Sequence, residues 1–529
     1  MKQRFFKNIS KYDIIFIVLF ILICFFYQFH NIIGLRPESI HQWRQTICTS
    51  IELNYYLHGM NFFRPEVHHL FSDGGTSGQS LAEFPILYYI NAVLWKIFGV
   101  SEAIPRIVNI IIYFFGLFFL FRFLSRVLSP VWSLLICILC FTSPVFVFYG
   151  FGYLVDIPAF SICLISIYFF FNYYELGKRK DLYLFLFFSL LAILLKITVS
   201  IFFLSILGIF IFQKFKIIEL REKGLKNPLR DIFLFLSVLL IVAGWYAYAR
   251  YFDTIHGGWY TINDIFPIWD LDRAGIREVL KKFFEIQFYQ FFIPLTTFLL
   301  IFLFIGIILL YKKTDKIYFI FSMMLAFGSL VYAVMWFKVW NVHDYYLFLF
   351  LLPALFVIIT FLDYLKKHQS EIFYSKKIQI IAALFVLLNV WYCRNNIRMR
   401  YGIKTTEIPF MATKAEIELW SWFSWDYSNT LKPLETIETY NRSLGISPDD
   451  PVISIPDKSI CITLYLMNQK GWTEFGNHFY EKDDISEKIK IGAKYLILND
   501  STHVHNPFIN PYTKHKIGQY KNIFIYSLR

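Results

Sequence analysis

Apolar stretches long enough to cross a bilayer are the feature of this sequence that most limits what it can fold into. A spanning helix needs about 20 predominantly apolar residues, and about eleven such stretches occur before residue 394. They lie near residues 13–33, 103–124, 131–149, 157–174, 182–197, 198–214, 231–250, 290–311, 317–337, 345–363 and 377–393. The long region 182–214 is divided at Lys196-Ile197-Thr198. Only 17% of the residues are charged, whereas soluble proteins are about one-quarter charged. The sequence therefore predicts a polytopic α-helical membrane protein.

Basic residues between these stretches predict the orientation of the chain. They cluster at the N-terminus and in segments 175–181, 214–230, 312–316 and 366–377, which all fall on one side of the predicted membrane. Short loops rich in Lys and Arg face the cytoplasm. We therefore expect a multi-pass protein of the cell membrane, as in a bacterial inner membrane, with a cytoplasmic N-terminus. The excess of 51 Lys and Arg over 38 Asp and Glu is explained by this topology, so no nucleic-acid partner is predicted.

The opposite, extracytoplasmic side receives a first loop, 34–102, and a later loop, 251–289. The apolar run 84–98 in the first loop is interpreted as a juxtamembrane helix, because a crossing there would invert the later charge pattern. Another part of the loop has Ile47, Ile51 and Tyr55 at helical spacing, which predicts an amphipathic helix lying on the membrane surface.

The C-terminal tail, 394–529, differs in composition from the membrane region, 1–393. It is polar, and it alternates short helical and strand patterns, with strands expected at 451–455, 494–498 and 523–526. We expect a small α/β domain outside the membrane.

Ionisable residues beside lipid are costly and therefore indicate function. The first loop contains the segment His41-Gln42-Trp43-Arg44-Gln45, in which His41 and Arg44, three residues apart, are expected on one helix face. The other candidates on the same side are Glu83, Asp156, Lys196, His343, Tyr345 and Tyr346. Asp156 precedes Pro158 and can also cap the following helix.

The order of these residues resembles a known superfamily. A first span is followed by a polar external loop, Glu-x-Pro, Tyr-x-x-Asp-x-Pro, Leu-Leu-Lys and His-x-Tyr-Tyr with Leu-Pro-Ala-Leu. This order is similar to that of the GT-C polyprenyl-phosphate-dependent glycosyltransferases, in the branch of the aminoarabinose transferases and protein O-mannosyltransferases. The resemblance covers roughly residues 10–365. It implies a GT-C-like fold and a sugar donor carried on a polyprenyl phosphate in membrane lipid.

The resemblance also assigns roles to residues. It implies that Arg44, Lys196 and Tyr345 or Tyr346 contact the donor phosphate, with Gln45 and His343 as further site residues. The family's first-loop segment Asp-Glu-x-Arg reads His41-Gln42-Trp43-Arg44 here, so the arginine is kept and both carboxylates are absent.

Other matches concern the remaining carboxylates. The family's Glu-Lys-Pro-Pro reads Glu83-Phe84-Pro85-Ile86, which keeps the glutamate, and Asp156 matches its second external aspartate. Some members pair this glutamate with a loop histidine around a metal. His256 with Glu83 is the corresponding pair, and a divalent metal ion is the cofactor it would imply.

These roles fit the chemistry of sugar transfer. The leaving lipid phosphate needs cations and hydroxyl donors to stabilise its charge, and an acceptor hydroxyl needs a base. The candidate bases are His41, Glu83 and Asp156. We expect the essential carboxylate at Glu83 or Asp156, with His41 orienting the acceptor or sharing the base role. Direct displacement would invert the anomeric centre, and the acceptor is a lipid, a glycan or a protein.

Two other functions share this architecture. A lipid-linked polysaccharide polymerase or ligase would be expected to carry its essential arginines in later external loops. A transporter or flippase would place polar residues near the middle of the membrane and would show internal repeats.

Overall fold

The computed structural model of the protein describes residues 9–220, 228–258, 265–402, 411–475, 481 and 483–529. Within these residues the chain is mainly helical, with one five-stranded sheet near the C-terminus. Seven described helices are long and apolar enough to cross a membrane, and the number rises to nine if each of two bent helix pairs forms one span. The predicted polytopic helical fold with a small C-terminal sheet region is confirmed. Each of the predicted spans overlaps a described helix. The predicted spans 13–33 and 182–197 correspond to helices of 16 and 17 residues, which are too short to be counted among these nine.

The N-terminal region contains α1 (Lys11–Phe26), α2 (Phe29–Ile32), α3 (Gln42–His58) and α4 (Ile86–Phe98). A capping box formed by Ser10 and Asp13 starts α1. Helix α4 has 13 residues, too few to cross a bilayer, and it occupies the predicted juxtamembrane run. The predicted helix in the first loop is present as α3, but Ile51 and Tyr55 are buried. It packs between α4 and a helix of the tail, Ile462–Met467, so protein rather than lipid covers its apolar face.

The next helices are α5 (Ala103–Val127), α6 (Pro130–Cys140), α7 (Pro144–Gly150), α8 (Asp156–Leu176), α9 (Arg179–Leu195), α10 (Ser200–Lys214) and α11 (Pro228–His256). Helices α6 and α7 form a pair bent by 76°. Lys196 has an extended backbone between α9 and a 3₁₀ turn, Ile197–Val199, that leads into α10. The predicted division of region 182–214 is therefore observed at Lys196.

The following helices are α12 (Arg273–Lys282), α13 (Phe288–Phe291), α14 (Pro294–Leu309), α15 (Lys316–Met335), α16 (Leu351–His368), α17 (Ser370–Tyr374) and α18 (Lys376–Arg400). A 3₁₀ turn, Asp344–Phe350, precedes α16. Helix α18 ends at Arg400, so it extends past residue 393, where the membrane region was expected to end.

Ion pairs join the segments that were predicted to share the cytoplasmic side. Asp13 at the start of α1 lies 3.3 Å from Arg122 at the end of α5, and Lys367 on α16 lies 3.0 Å from Asp315 before α15. Helix ends that meet in this way belong to the same end of the bundle, which is the arrangement that the charge pattern predicts.

The tail contains α19 (Lys414–Asp426), α20 (Glu438–Ser443), α21 (Ile462–Met467), α22 (Asp484–Lys490) and the strands β1 (Val452–Ile455), β2 (Gly471–Trp472), β3 (Tyr495–Leu498), β4 (Lys516–Tyr520) and β5 (Ile523–Ser527). The strand order is β2-β1-β3-β5-β4, in which β1 runs parallel to β2 and β3, and β5 is antiparallel to β3 and β4. The three predicted strands are β1, β3 and β5.

The tail contacts the first loop directly. The hydroxyl of Tyr465 donates a hydrogen bond to Glu102 at 2.8 Å, and the backbone N–H of Leu70 donates to the carbonyl oxygen of Gly471 at 2.8 Å. The first loop is therefore enclosed between the membrane helices and the tail.

Close packing of α5 and α8 depends on Gly116. A Cβ at this position would lie 2.7 Å from the Cα of Ser161 on α8. We predict that Gly116→Val lowers the melting temperature of the purified protein, because overpacking costs about 1–3 kcal/mol. Gly306→Val on α14 is the matched control, since a Cβ there would meet nothing within 4 Å. Equal melting temperatures for the two variants would contradict the prediction.

Candidate active site

A cavity of about 340 Å³ lies where the first loop, the break after α9 and the turn before α16 meet. Most of the predicted site residues line it, together with side chains that were not predicted. The lining includes His41, Trp43, Arg44, Glu83, Lys196, Thr198, Tyr246, Trp336, His343, Tyr345, Tyr346 and Ile460. Ile460 belongs to the tail, which therefore contributes one wall.

Arg44 and Glu83 form an ion pair at the wall of the cavity. Arg44 lies in the first turn of α3, and Glu83 lies just before Pro85, which caps α4. Burial by itself would raise the pKa of Glu83, but Arg44 and Lys196 outweigh it and lower the pKa below its ordinary value. Glu83 is therefore ionised at neutral pH.

Lys196 forms the second ion pair of the cavity, with its Nζ 2.9 Å from Oδ1 of Asp156. Asp156 is the first residue of α8, where Val155 is the N-cap residue. The Asp156 carboxylate makes no hydrogen bond to the helix backbone, so it pairs with Lys196 and does not form the predicted helix cap. Lys196 Nζ also lies 5.5 Å and 5.8 Å from the ring centres of Tyr345 and Tyr346, within range of a cation–π interaction.

His41 lies just before α3 in the left-handed region, with φ of 54°. Non-glycine residues seldom adopt this conformation, and it often marks a functional site. The Nε2 atom lies 3.1 Å from the carbonyl oxygen of Val342 and 3.5 Å from Oδ1 of Asp344. His41 and Arg44 both line the cavity, although His41 precedes the helix that was expected to align them.

Aromatic rings surround His41. Its ring centre lies 4.9 Å from that of His343 and 5.0 Å from that of Tyr345, and the rings of Tyr345 and Tyr346 are 4.5 Å apart. Burial, followed by the neighbouring His41, lowers the pKa of His343 to about 3. His343 is therefore a neutral wall of the cavity at physiological pH.

A buried charge network behind His41 was not predicted. Asp344 accepts a hydrogen bond from the Tyr149 hydroxyl at 2.5 Å and pairs with Nη2 of Arg400 at 2.6 Å. The side chains of Asp344 and Arg400 are both 0% exposed. Asp344 lies between His343 and Tyr345 in the sequence. Because both neighbours were predicted site residues, the position of Asp344 could have indicated its role. An arginine that follows an apolar stretch is ordinarily read as an interfacial anchor, so the sequence gives no comparable signal for Arg400.

Gln45 and His256 are the predicted site residues that lie apart from the cavity lining, and Asp156 reaches it through Lys196. Gln45 is buried and donates hydrogen bonds from Nε2 to the carbonyl oxygens of Glu38 and Ile40, both at 2.9 Å. It therefore fixes the turn that carries His41. His256 Nδ1 lies 2.7 Å from Oδ1 of Asp73, in a different part of the first-loop region.

The cavity does not fit a divalent metal ion. In the part of the chain that the structure describes, no three His, Cys, Asp or Glu side chains are grouped as a metal site. Glu83 and Asp156 are each bound to a cation, and the charges of Arg44 and Lys196 would repel a further cation.

Comparisons with known proteins bear on this fold and site. The dolichyl-phosphate-mannose-protein mannosyltransferase family matches residues 82–248, a region that contains Glu83, Asp156 and Lys196. A search of curated protein sequences finds no match.

Solved structures resemble nearly the whole chain. ArnT from Cupriavidus metallidurans in the apo state is 10% identical, with a TM-score of 0.55 over 97% of this chain and 98% of that one. The same protein bound to undecaprenyl phosphate gives the same identity and TM-score over 98% of both chains. The Archaeoglobus fulgidus oligosaccharyltransferase in the apo form is 11% identical, with a TM-score of 0.50 over 91% of this chain and 69% of that one.

The fold and the cavity define a multi-pass membrane protein with an ion-paired pocket beside its first large loop. Its architecture is that of the GT-C superfamily of membrane glycosyltransferases, which confirms the resemblance found in the sequence.

The pair formed by Lys196 and Asp156 allows a stability test. We predict that Lys196→Met lowers the free energy of unfolding by about 3–5 kcal/mol, because it leaves a buried carboxylate without its cation. Adding Asp156→Leu should recover part of the loss. Thermal unfolding of the purified protein measures both effects, and Lys282→Met, which removes an exposed ion pair with Glu278, is the control. A double variant as unstable as Lys196→Met would contradict this account.

Proposed function

We propose that this protein transfers a sugar from a polyprenyl-phosphate donor to a hydroxyl group of a lipid, glycan or protein acceptor. The observation that carries the proposal is a cavity with two ion-paired cations, Arg44 and Lys196, at one end of an apolar helix bundle. The GT-C architecture and the similarity to ArnT bound to undecaprenyl phosphate support it. The two cations suit the charged head of such a donor, and the apolar helices suit its apolar tail.

The donor phosphate would bind the two cations beside the carboxylates that already pair with them. Arg44 presents a planar set of N–H donors that suits phosphate oxygens, and Lys196 adds a compact positive charge. As the bond between sugar and phosphate breaks, negative charge grows on the phosphate, and fixed cations stabilise it most at that point. Tyr345 and Tyr346, beside Lys196, complete this part of the cavity.

An apolar groove of about 700 Å³ lies next to the cavity and suits the donor's polyprenyl tail. Its walls come from the segment around α13, from α14, α15 and α16, and include Phe288, Phe304, Phe327, Leu330, Phe350 and Ala354. The turn before α16 joins the two spaces, because Tyr345 and Tyr346 line the cavity while Leu347 and Phe350 line the groove. A tail bound in the groove would place its phosphate near Lys196.

The proposed reaction takes place on the extracytoplasmic side, with the N-terminus in the cytoplasm of a bacterial cell. The basic segments support this orientation through the positive-inside rule. The tail, residues 394–529, would then be an external domain on the membrane module, 1–393, and would close the cavity through Ile460. The site lies where helices end and loops begin, which suits an enzyme better than a transporter with a mid-membrane site.

Lipid-phosphate binding tests the donor site. We expect the purified full-length protein in nanodiscs to bind undecaprenyl phosphate more tightly than undecaprenol, which lacks the phosphate. Arg44→Ala and Lys196→Gln should each weaken binding of undecaprenyl phosphate by at least about tenfold, because each removes a charge-assisted contact. Lys414→Ala is the control, since that side chain is 91% exposed on the tail. Equal affinity for the two lipids would contradict the donor proposal.

Consumption of a lipid-linked sugar tests the reaction. In the presence of a membrane extract that supplies hydroxyl acceptors for the sugar, we expect the protein to release undecaprenyl phosphate from undecaprenyl-phosphate-linked mannose or 4-aminoarabinose. Glu83→Gln should lower this rate by at least about tenfold, because Arg44 loses the partner that orients it. Glu52→Gln is the matched control, a buried first-loop carboxylate that accepts a hydrogen bond from Asn91 at 2.6 Å. Tight binding of undecaprenyl phosphate without consumption of either donor would contradict the transferase proposal.

A further inference from the structure

The hydrogen bond between His41 and Val342 determines which nitrogen of the His41 ring carries the proton. Nε2 lies 3.1 Å from the carbonyl oxygen of Val342, and a carbonyl oxygen can only accept a hydrogen bond. Nε2 must therefore carry the proton. In the neutral ring Nδ1 is then the atom with the lone pair, and the ring lines the cavity.

Asp344 stands behind the same nitrogen and is held firmly. Its Oδ1 lies 3.5 Å from Nε2 of His41 and 2.5 Å from the Tyr149 hydroxyl, while its Oδ2 lies 2.6 Å from Nη2 of Arg400. The same Nη2 donates to Gln290 at 2.7 Å. A carboxylate fixed in this way disfavours rotation of the imidazole and stabilises the positive charge that the ring gains when Nδ1 takes up a proton.

We propose that His41 is the general base of the sugar transfer and that Asp344 is its positioning residue, an inference that rests on the proposed function. The acceptor O–H gives its proton to Nδ1 of His41 while its oxygen forms a bond to the anomeric carbon. The bond from that carbon to the phosphate oxygen breaks, and the electron pair stays on the polyprenyl phosphate. His41 then releases the proton to water.

This assignment accounts for the two carboxylates of the cavity. Glu83 is bound by Arg44 and Asp156 by Lys196, so both hold phosphate-binding cations in place. A carboxylate whose charge is stabilised by a cation is a weak base. The base role therefore passes to His41, the residue that occupies the place of the family's first-loop aspartate.

The surroundings of His41 give the expected pH dependence. The titratable and charged groups around its ring are Asp344, Arg400, Asp156, His343, Tyr149 and Tyr345. Burial lowers the pKa of His41, and Asp344 acts in the opposite direction. The ring is thus neutral and ready to accept a proton at pH 7, and the rate should fall only at a pH below the ordinary imidazole range. Loss of the Asp344 charge should move that fall to still lower pH.

The kinetic test uses the full-length protein in nanodiscs with undecaprenyl-phosphate-linked mannose and a membrane extract that supplies hydroxyl acceptors. We expect His41→Gln to lower kcat by about 100-fold or more, as loss of a general base does, without weakening the binding of undecaprenyl phosphate. Asp344→Asn should lower kcat and shift the acid limb of the pH profile to lower pH. Asp363→Asn, which affects a carboxylate 2.8 Å from Lys367 at the other end of α16, should leave both unchanged.

Two kinetic results would overturn the proposal. One is a His41→Gln variant that keeps more than half of the wild-type kcat. The other is an Asp344→Asn variant with reduced kcat but an unmoved acid limb, which would assign Asp344 a structural role alone.

A spectroscopic test needs neither turnover nor a stable Asp344 variant. In ¹⁵N-histidine-labelled protein, the signals lost in His41→Gln identify the ring of His41. We expect these signals to report protonated Nε2 and unprotonated Nδ1 at pH 7. A proton on Nδ1 would overturn the base assignment, whereas failure of the wild-type protein to bind undecaprenyl phosphate would instead overturn the proposed function.

Discussion

Three cations at or behind the cavity each lie beside a buried carboxylate from another part of the chain. Arg44 on α3 pairs with Glu83 before α4, Lys196 after α9 pairs with Asp156 on α8, and Arg400 on α18 pairs with Asp344 before α16. An unpaired charge in such surroundings costs several kcal/mol. The pairs therefore fix how the first loop and the membrane helices meet, and the cavity exists because they meet in that way.

These pairs also prepare the site for a charged ligand. Removing Arg44 and Lys196 from water is costly, and the folded protein has already compensated for that cost with Glu83 and Asp156. A phosphate that enters the cavity can bind beside these carboxylates without any further large desolvation of the cations. Such prior orientation of charge is the main way in which active sites stabilise a leaving group. The ion pairs thus connect the stability of the fold with its proposed chemistry.

The fold could be predicted because its main determinants are local in sequence. The length of an apolar stretch predicts a span, and the polar sequence around Lys196 predicts the break between α9 and α10. The contact partners of a side chain, in contrast, can lie far away in the sequence. Spacing showed that α3 has an apolar face, but only the tertiary structure shows that α4 and the tail cover it. For the same reason the sequence could not pair His256 with Asp73, or place Arg400 behind Asp344.

The carboxylate of Asp344 explains why a histidine suits position 41 better than an aspartate. Oδ1 of Asp344 lies 3.5 Å from the His41 ring, so an aspartate at position 41 would place two carboxylates side by side in a buried space. Like charges at such a distance oppose ionisation, and one of the two groups would stay protonated. A neutral imidazole avoids this repulsion and becomes more basic because of the same carboxylate. We therefore interpret His41 and Asp344 as one functional unit, in which the base has moved from a first-loop carboxylate to an imidazole supported from the turn before α16.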